Sequence, residues 1–276
     1  MKTDENFPIG KRPQSASIHI CLIMISKAKI KYIRSLNHKK IRKSEKVFIA
    51  EGPKVVGDLL SIQPARTIIA TPEWMQRQEK ALFTEYIEVS EEELKKVSFL
   101  QHPQEVVALF DQRENPLEPH PETQLTLALD GVQDPGNLGT IIRIADWFGI
   151  ESIVCSEDTA DLYNPKVVQA TMGSIARVSL TYTDLERYVA ELSTDIPVYG
   201  TFLNGKNLYT QQLTSNGLLI MGNEGNGISE KVSKRITHRL LIPNYPQGRQ
   251  TTDSLNVAIA TAIICSEFRR YEIGNQ

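Results

Sequence analysis

Short, nearly unbroken apolar runs alternate along the chain with stretches whose apolar residues recur every three or four positions. Val47-Phe48-Ile49-Ala50, Thr67-Ile68-Ile69-Ala70, Ile87-Glu88-Val89 and Val106 to Phe110 read as strands. Pro53 opens a helix with apolar positions at Val55, Val56, Leu59 and Leu60. A second helix is expected from Pro72 to about Phe83. Ser90-Glu91-Glu92-Glu93 is a capping box with acids in its first turn, leading into Leu94 to Val97. Lys27 to Asn37 reads as a short helix followed by a Lys/Arg-rich connection. This alternation predicts a small α/β domain over residues 27–112.

Pro116, Pro119 and Pro121 mark residues 113–123 as a linker. A second domain, residues 124–276, opens with Leu125 to Leu129, a run typical of a strand covered on both faces. Helices are expected at Leu138–Phe148, Pro165–Thr171, Asp184–Leu192, Glu230–Ile236 and Ser254–Tyr271. Strands are expected at Ser152–Cys155, Ala176–Leu180, Val198–Thr201, Gly217–Met221 and His238–Ile242. The predicted class is α/β, a helix-covered parallel sheet preceded by a smaller α/β domain. Residues 1–26 mix Pro8, Gly10 and Pro13 with polar residues and read as a flexible N-terminal extension, with Met24 a candidate alternative start.

Composition narrows the class. The chain has 276 residues and a net charge of −2, so it is not a basic nucleic-acid binder as a whole. Ile18 to Ile25 is too short to span a membrane, and a membrane partner is not expected. Cys21, Cys155 and Cys265 are odd in number and far apart, which disfavours zinc or a disulfide framework, predicts no metal, and fits a reducing cytoplasm. Charge is uneven, however. Lys27 to Lys46 carries nine Lys/Arg against Glu45 alone. The stretch is either a solvated face or a footprint for phosphates, with Lys39, Lys40, Arg42 and Lys43 as the candidate contacts.

Three segments put polar groups or glycines at the mouths of buried elements. In Asn137-Leu138-Gly139-Thr140-Ile141-Ile142-Arg143, Pro135-Gly136-Asn137 suggests a tight turn, Gly139 allows close approach, and Arg143 projects near the helix mouth. An ion pair between Arg143 and Asp146 is the plainer reading. Met221-Gly222-Asn223-Glu224-Gly225-Asn226-Gly227 allows a ligand near the backbone, or is an ordinary strand-to-helix turn. It matches neither dinucleotide nor P-loop fingerprints, and Glu224 would repel a phosphate. In Ser254-Leu255-Asn256-Val257, Ser254 is a good N-cap, and Asn256 is either a turn-binding amide or a functional one.

Together, Asn137-x-Gly139-xxx-Arg143, Met221-Gly222-Asn223-Glu224-Gly225-x-Gly227 and Ile242-Pro243 … Ser254-Leu255-Asn256-Val257 resemble the three motifs of the SpoU (TrmH) RNA ribose 2′-O-methyltransferases, of the SPOUT class. Phe48-Ile49-Ala50-Glu51-Gly52 and Val106-Val107-Ala108 are similar to that family's L30e-like substrate-binding domain. The resemblance implies a deep C-terminal trefoil knot, a rare exception to un-knotted folding, a homodimer, and S-adenosylmethionine as cofactor. By position it implies Thr201, Leu203, Gly222, Asn223, Gly227, Ile242 and Leu255 as cofactor contacts. It assigns Asn137, Arg143, Glu224, Ser254 and Asn256 to catalysis, with the Arg acting across the dimer. The implied reaction is methyl transfer to a ribose 2′-hydroxyl of structured rRNA or tRNA. An inert RNA-binding or ribosome-assembly module is the alternative, and a nicotinamide dehydrogenase lacks its phosphate fingerprint. The loop from Asn244 to Asp253 is longer than the family pattern and carries Tyr245, Arg249 and Gln250.

Overall fold

A computed structural model describes residues 19–21, 25–78, 82–114, 117–246, 249–250, 252 and 254–274. The first layer of structure is β1 (His19–Cys21), α1 (Lys27–Ser35), α2 (Lys39–Glu45), β2 (Val47–Glu51), α3 (Pro53–Leu60), β3 (Ala65–Ala70), α4 (Pro72–Gln76), β4 (Phe83–Glu88), α5 (Glu91–Val97) and β5 (Val106–Asp111). Its strands form one sheet in the order β1-β4-β3-β5-β2, in which β5 runs antiparallel to both β2 and β3. The second comprises β6 (Leu125–Asp130), α6 (Pro135–Trp147), β7 (Ser152–Ser156), α7 (Pro165–Ala170), β8 (Ser179–Thr183), α8 (Leu185–Glu191), β9 (Val198–Asn207), β10 (Gly217–Gly222), α9 (Glu230–Ser233), β11 (His238–Leu241) and α10 (Val257–Gly274). Its sheet runs β11-β9-β10-β6-β7-β8, and every neighbouring pair is parallel.

The α/β class with a parallel second sheet is as expected. Leu125, Leu127, Ala128 and Leu129 of β6 are buried, as a strand covered on both faces requires. Leu138, Ile141, Ile142 and Ala145 of α6 are buried at helical spacing. Because the chain goes from β6 outward through β7 to β8 and then returns to the other side, β6 and β10 flank the point where strand order reverses. Open parallel sheets bind ligands beyond the strand ends at such a point.

Several boundaries differ from the sequence reading. The Lys/Arg-rich connection is helix α2, held down by Arg42, which is only 1 % exposed. Arg42 therefore is not an RNA contact. Its guanidinium donates to the carbonyls of Leu36 and Asn37 at 2.8 Å and to Asp161 of the second domain at 2.5 Å. The helix expected to reach Phe83 stops at Gln76, because the open side of β3 recruits Phe83 into β4 opposite Ala65. The strand expected at Ala176–Leu180 lies at Ser179–Thr183, since Ala176 belongs to a 3-10 turn. Within the expected tail, His19–Cys21 pairs with β4; the other residues before Ile25 lie outside those described.

The two halves share an apolar seam. The Phe48 and Tyr163 rings lie 4.7 Å apart, and the Tyr163 hydroxyl accepts from the Arg113 amide at 3.0 Å. α7 packs on β2 on one side and on α6 on the other. Gly139 makes the second contact possible: a Cβ there would stand 2.4 Å from the Ala170 Cβ and 2.9 Å from the Val167 carbonyl. The close approach read from the sequence is thus by α7. We expect Gly139→Ala to push α6 off α7 and to destabilise the fold by roughly 1–3 kcal/mol. Urea denaturation checks this, and an unchanged midpoint would contradict it.

Candidate active site

Asp134 and Pro135 start α6 earlier than the sequence suggested. The Asp134 carboxylate caps the helix by accepting from the Asn137 amide at 2.8 Å, and Pro135 occupies the first turn. Asn137 therefore sits in the helix, not in a preceding turn. Its side chain projects beyond the C-terminal end of β6. The β10 end aligns with it in register, Gly222 opposite Asp130.

After β10 the chain makes a narrow hairpin. Asn223 and Gly227 exchange backbone hydrogen bonds at 2.9 and 3.0 Å. Gly222 permits this, since a Cβ there would stand 2.3 Å from Gly227 and Ile228 backbone atoms, and Gly227 has φ +67°. The Asn223 side chain fixes the tip. It accepts from the amides of Gly225 and Asn226 at 2.9 and 3.0 Å and donates to the Gly131 carbonyl at 2.6 Å.

That hairpin presents Glu224. Its carboxylate accepts from Asn137 Nδ2 at 2.9 Å and from the amides of Asp134 and Gln133 at 3.2 and 3.3 Å. Partial burial opposes its charge, but the hydrogen bonds from Asn137 and the backbone prevail and hold the carboxyl below its ordinary pKa. Asn137 Oδ1 accepts in turn from Asn256 Nδ2 at 2.9 Å, and Asn256 Oδ1 accepts from the amides of Ala258 and Ile259 at 3.0 and 3.3 Å. Asn256, not Ser254, is thus the side chain that caps α10. All three sequence segments meet in one relay, Glu224–Asn137–Asn256.

The other expected site residues take different places. Ser254 is exposed, and its carbonyl accepts from the Thr252 hydroxyl at 3.4 Å. Arg143 lies one turn beyond Gly139 on α6, exposed and without a hydrogen-bond or ion-pair partner among the described residues. Its suggested partner Asp146 is held by Arg177 in a bidentate pair, with contacts of 3.0 and 2.7 Å. Leu203 and Leu255 are 74 % and 48 % exposed despite their apolar side chains, Thr201 and Ile242 are half-buried, and among the described residues a Cβ on Gly227 would meet nothing within 4 Å beyond its chain neighbours. These positions offer backbone groups and apolar side chains to a ligand. Of the long loop, Asn244 Nδ2 donates to the Arg249 carbonyl at 2.9 Å and Tyr245 is exposed; Gln247, Gly248, Thr251 and Asp253 lie outside the described residues. Lys39, Lys40 and Lys43 are exposed on α2. The sequence reading missed Asp134 and Asp161; the Asp134-Pro135 pair is a helix-start signal that was available.

Comparison with known proteins gives a consistent picture. Residues 124–266 match the SpoU rRNA Methylase family, and residues 27–108 match the MRM3-like substrate binding domain. The chain is 32 % identical, over 87 % of its length and 96 % of the relative's, to the 23S rRNA (guanosine(2553)-2′-O)-methyltransferase RlmP of Bacillus subtilis. Its fold is similar to that of a TrmH-family protein from Porphyromonas gingivalis described as an RNA methyltransferase, at 44 % identity and TM-score 0.80, covering 90 % of this chain and 99 % of that one. It is also similar to an AdoMet-bound rRNA methyltransferase from Sinorhizobium meliloti, at 32 % identity and TM-score 0.78, covering 92 % and 98 %.

A lowered carboxyl pKa stabilises the fold above the ordinary value of 4.5 and loses that contribution as pH falls through the folded value. Glu224→Gln removes the charge and sets an amide NH₂ against at least one of the three N–H donors, which are shared between the two carboxylate oxygens. Allowing for solvent screening, it should lower stability by about 1–2 kcal/mol at pH 7. The gap in thermal midpoint between variant and wild type should narrow once the pH drops below about 4.5. A gap that persists unchanged in acid would show that the charge on Glu224 does not carry the relay.

Proposed function

The chain belongs to the SpoU rRNA methylase family, and from that premise we propose how its composite site works on large-subunit ribosomal RNA. It is an S-adenosylmethionine-dependent RNA 2′-O-ribose methyltransferase. The observation that carries the reading is the Glu224–Asn137–Asn256 relay, which brings the three motifs to one place. The exposed Leu203 and Leu255 and the open space at the Gly227 Cα suit an adenosyl group, which needs apolar contact and room beside the backbone rather than a phosphate cradle. Thr201, Gly222, Asn223 and Ile242 complete the proposed contacts. When bound, S-adenosylmethionine supplies a methyl carbon made electrophilic by its sulfonium. The Glu224 charge favours a cation nearby.

A ribose hydroxyl is a weak nucleophile and must release its proton as its oxygen attacks. The Arg143 guanidinium carries only N–H donors and no acceptor. Its unpartnered guanidinium would hold an RNA phosphate against the target ribose, and a phosphate oxygen would take the hydroxyl proton. Asn137 and Asn256 keep α6 in place so that Arg143 meets the ribose, and Ser254 is positioned to hold loop or substrate. RNA docks on the first domain, read as L30e-like, through Lys39, Lys40 and Lys43. Residues 27–112 and 124–276 form the two working units, and the C-terminal segment threads a trefoil knot. No helix among the described residues is long and apolar enough to cross a membrane.

The site is completed in a homodimer. α6 and α10 run side by side, joined at their starts by Asn137 and Asn256 and at their ends by Arg269 Nε donating to the Phe148 carbonyl at 2.7 Å. Trp147 and Ile259 on this pair are 84 % and 53 % exposed, which a second copy would cover.

Two outcomes test this reading. Arg143→Ala should abolish transfer of labelled methyl groups to an unmodified 23S rRNA transcript while calorimetric affinity for S-adenosylmethionine stays as in the wild type; normal turnover would remove Arg143 from the mechanism. In sedimentation at micromolar concentration the wild type should run at twice 31.0 kDa, and Ile259→Glu should shift it toward the monomer. A monomeric wild type would contradict the dimer.

A further inference from the structure

Arg42 and Asp161 join the two domains by a buried ion pair, their side chains only 2 % and 17 % exposed. We propose that this pair is a positioning device: it fixes the lysine-bearing helix α2 relative to α6, and so sets where docked RNA meets Arg143. The inference rests on the reading that α2 docks RNA.

The physical path is short. Lys39, Lys40 and Lys43 face solvent on α2, Ile41 packs partly against the core, and Arg42 is the fully buried residue of the same helix. Its guanidinium serves three acceptors at once: the carbonyls of Leu36 and Asn37, which close the α1–α2 turn, and the Asp161 carboxylate. A planar fork with three fixed acceptors sets direction as well as distance. On the far side, Asp161 precedes the Asn164 cap of α7 by one short turn, and that turn is itself pinned. The Leu162 amide donates to the Tyr182 hydroxyl at 2.8 Å, and the same hydroxyl donates to the Ala160 carbonyl at 2.6 Å. α7 then touches α6 at Gly139, one turn before Arg143. From α2 to Arg143, each step is an ion pair, a hydrogen bond or a backbone contact.

Stability alone does not account for the pair. Buried ion pairs are often no better than apolar residues of the same volume, because the charges lose their hydration. Here Arg42 Nε is buried without a hydrogen-bond partner among the described residues, and an apolar pair would avoid that cost. What the ion pair adds is a defined orientation between α2 and α7. RNA affinity would come from the lysines and RNA alignment from Arg42–Asp161, so the two should separate experimentally.

The test uses the full-length protein, S-adenosylmethionine and an unmodified 23S rRNA transcript. In Asp161→Asn, with Arg42→Lys as the second variant, affinity for the cofactor and for RNA should stay near wild type. The rate at saturating RNA should fall by roughly 10- to 100-fold, as displacement of a bound reactant by about an ångström would cause. The mapped methylation should spread from one nucleotide to its neighbours, and Asp161→Glu, which keeps the charge, should recover part of the rate. An unchanged saturating rate in both variants would overturn the proposal. So would loss of cofactor binding in both, which would make the pair a structural brace. Lys39/Lys40/Lys43→Ala separates the two levels. If it binds RNA as the wild type does, the docking reading itself fails. If it binds weakly with a flatter salt dependence while Asp161→Asn turns over normally, only the positioning role fails.

Discussion

Glu224 is the one acceptor-only group in the relay, and it dictates the orientation of everything attached to it. An ionised carboxylate cannot donate, so Asn137 must turn its NH₂ toward it. Asn137 Oδ1 then faces Asn256, which must donate its own NH₂, leaving Asn256 Oδ1 free to cap α10. Three elements far apart in the chain are thereby tied in a single polarity: the hairpin after β10, the first turn of α6 and the first turn of α10. Either amide turned the other way would set two donors or two acceptors against each other. The relay members spend their hydrogen bonds on one another and on the backbone amides beside them. Among the described residues, Arg143 alone of the catalytic candidates carries a charge without a partner, which supports the proposal that it meets the substrate.

The interface between the domains obeys a related logic. The apolar seam of Phe48 and Tyr163 provides cohesion without direction, and the Arg42–Asp161 pair provides direction. Asp58 of the first domain adds a looser, more exposed contact with Arg177 at 3.6 Å, and Arg177 also holds Asp146 of α6. α7 lies at the centre of this arrangement, with β2 on one side and α6 on the other.

Much of this was legible in the sequence, for stated reasons. β6 is an apolar run broken only by Thr126 because both of its faces are covered, and α6 shows its period because one of its faces is not. The three motifs were legible because glycines and amides at strand ends are conspicuous against apolar surroundings. What escaped reading depended on partners distant in sequence. Arg42 looks like its lysine neighbours; only Asp161, 119 residues away, distinguishes it. Ser254 and Asn256 are comparable N-caps by residue type, and it is Asn256 that caps α10, with its NH₂ turned to Asn137. α4 is cut short because β3 offers Phe83 a place in the sheet, a tertiary effect that overrides local pattern.

Loss of one ribose mark is the most direct sign of the activity assigned to this site. Mapping of 2′-O-methyl groups on ribosomal RNA from cells with and without this gene measures it. A single 23S ribose should lose its methyl group in the deletion, and the wild-type gene should restore it. A ribose map that is unchanged by the deletion, or a loss confined to base methylation, would contradict the account.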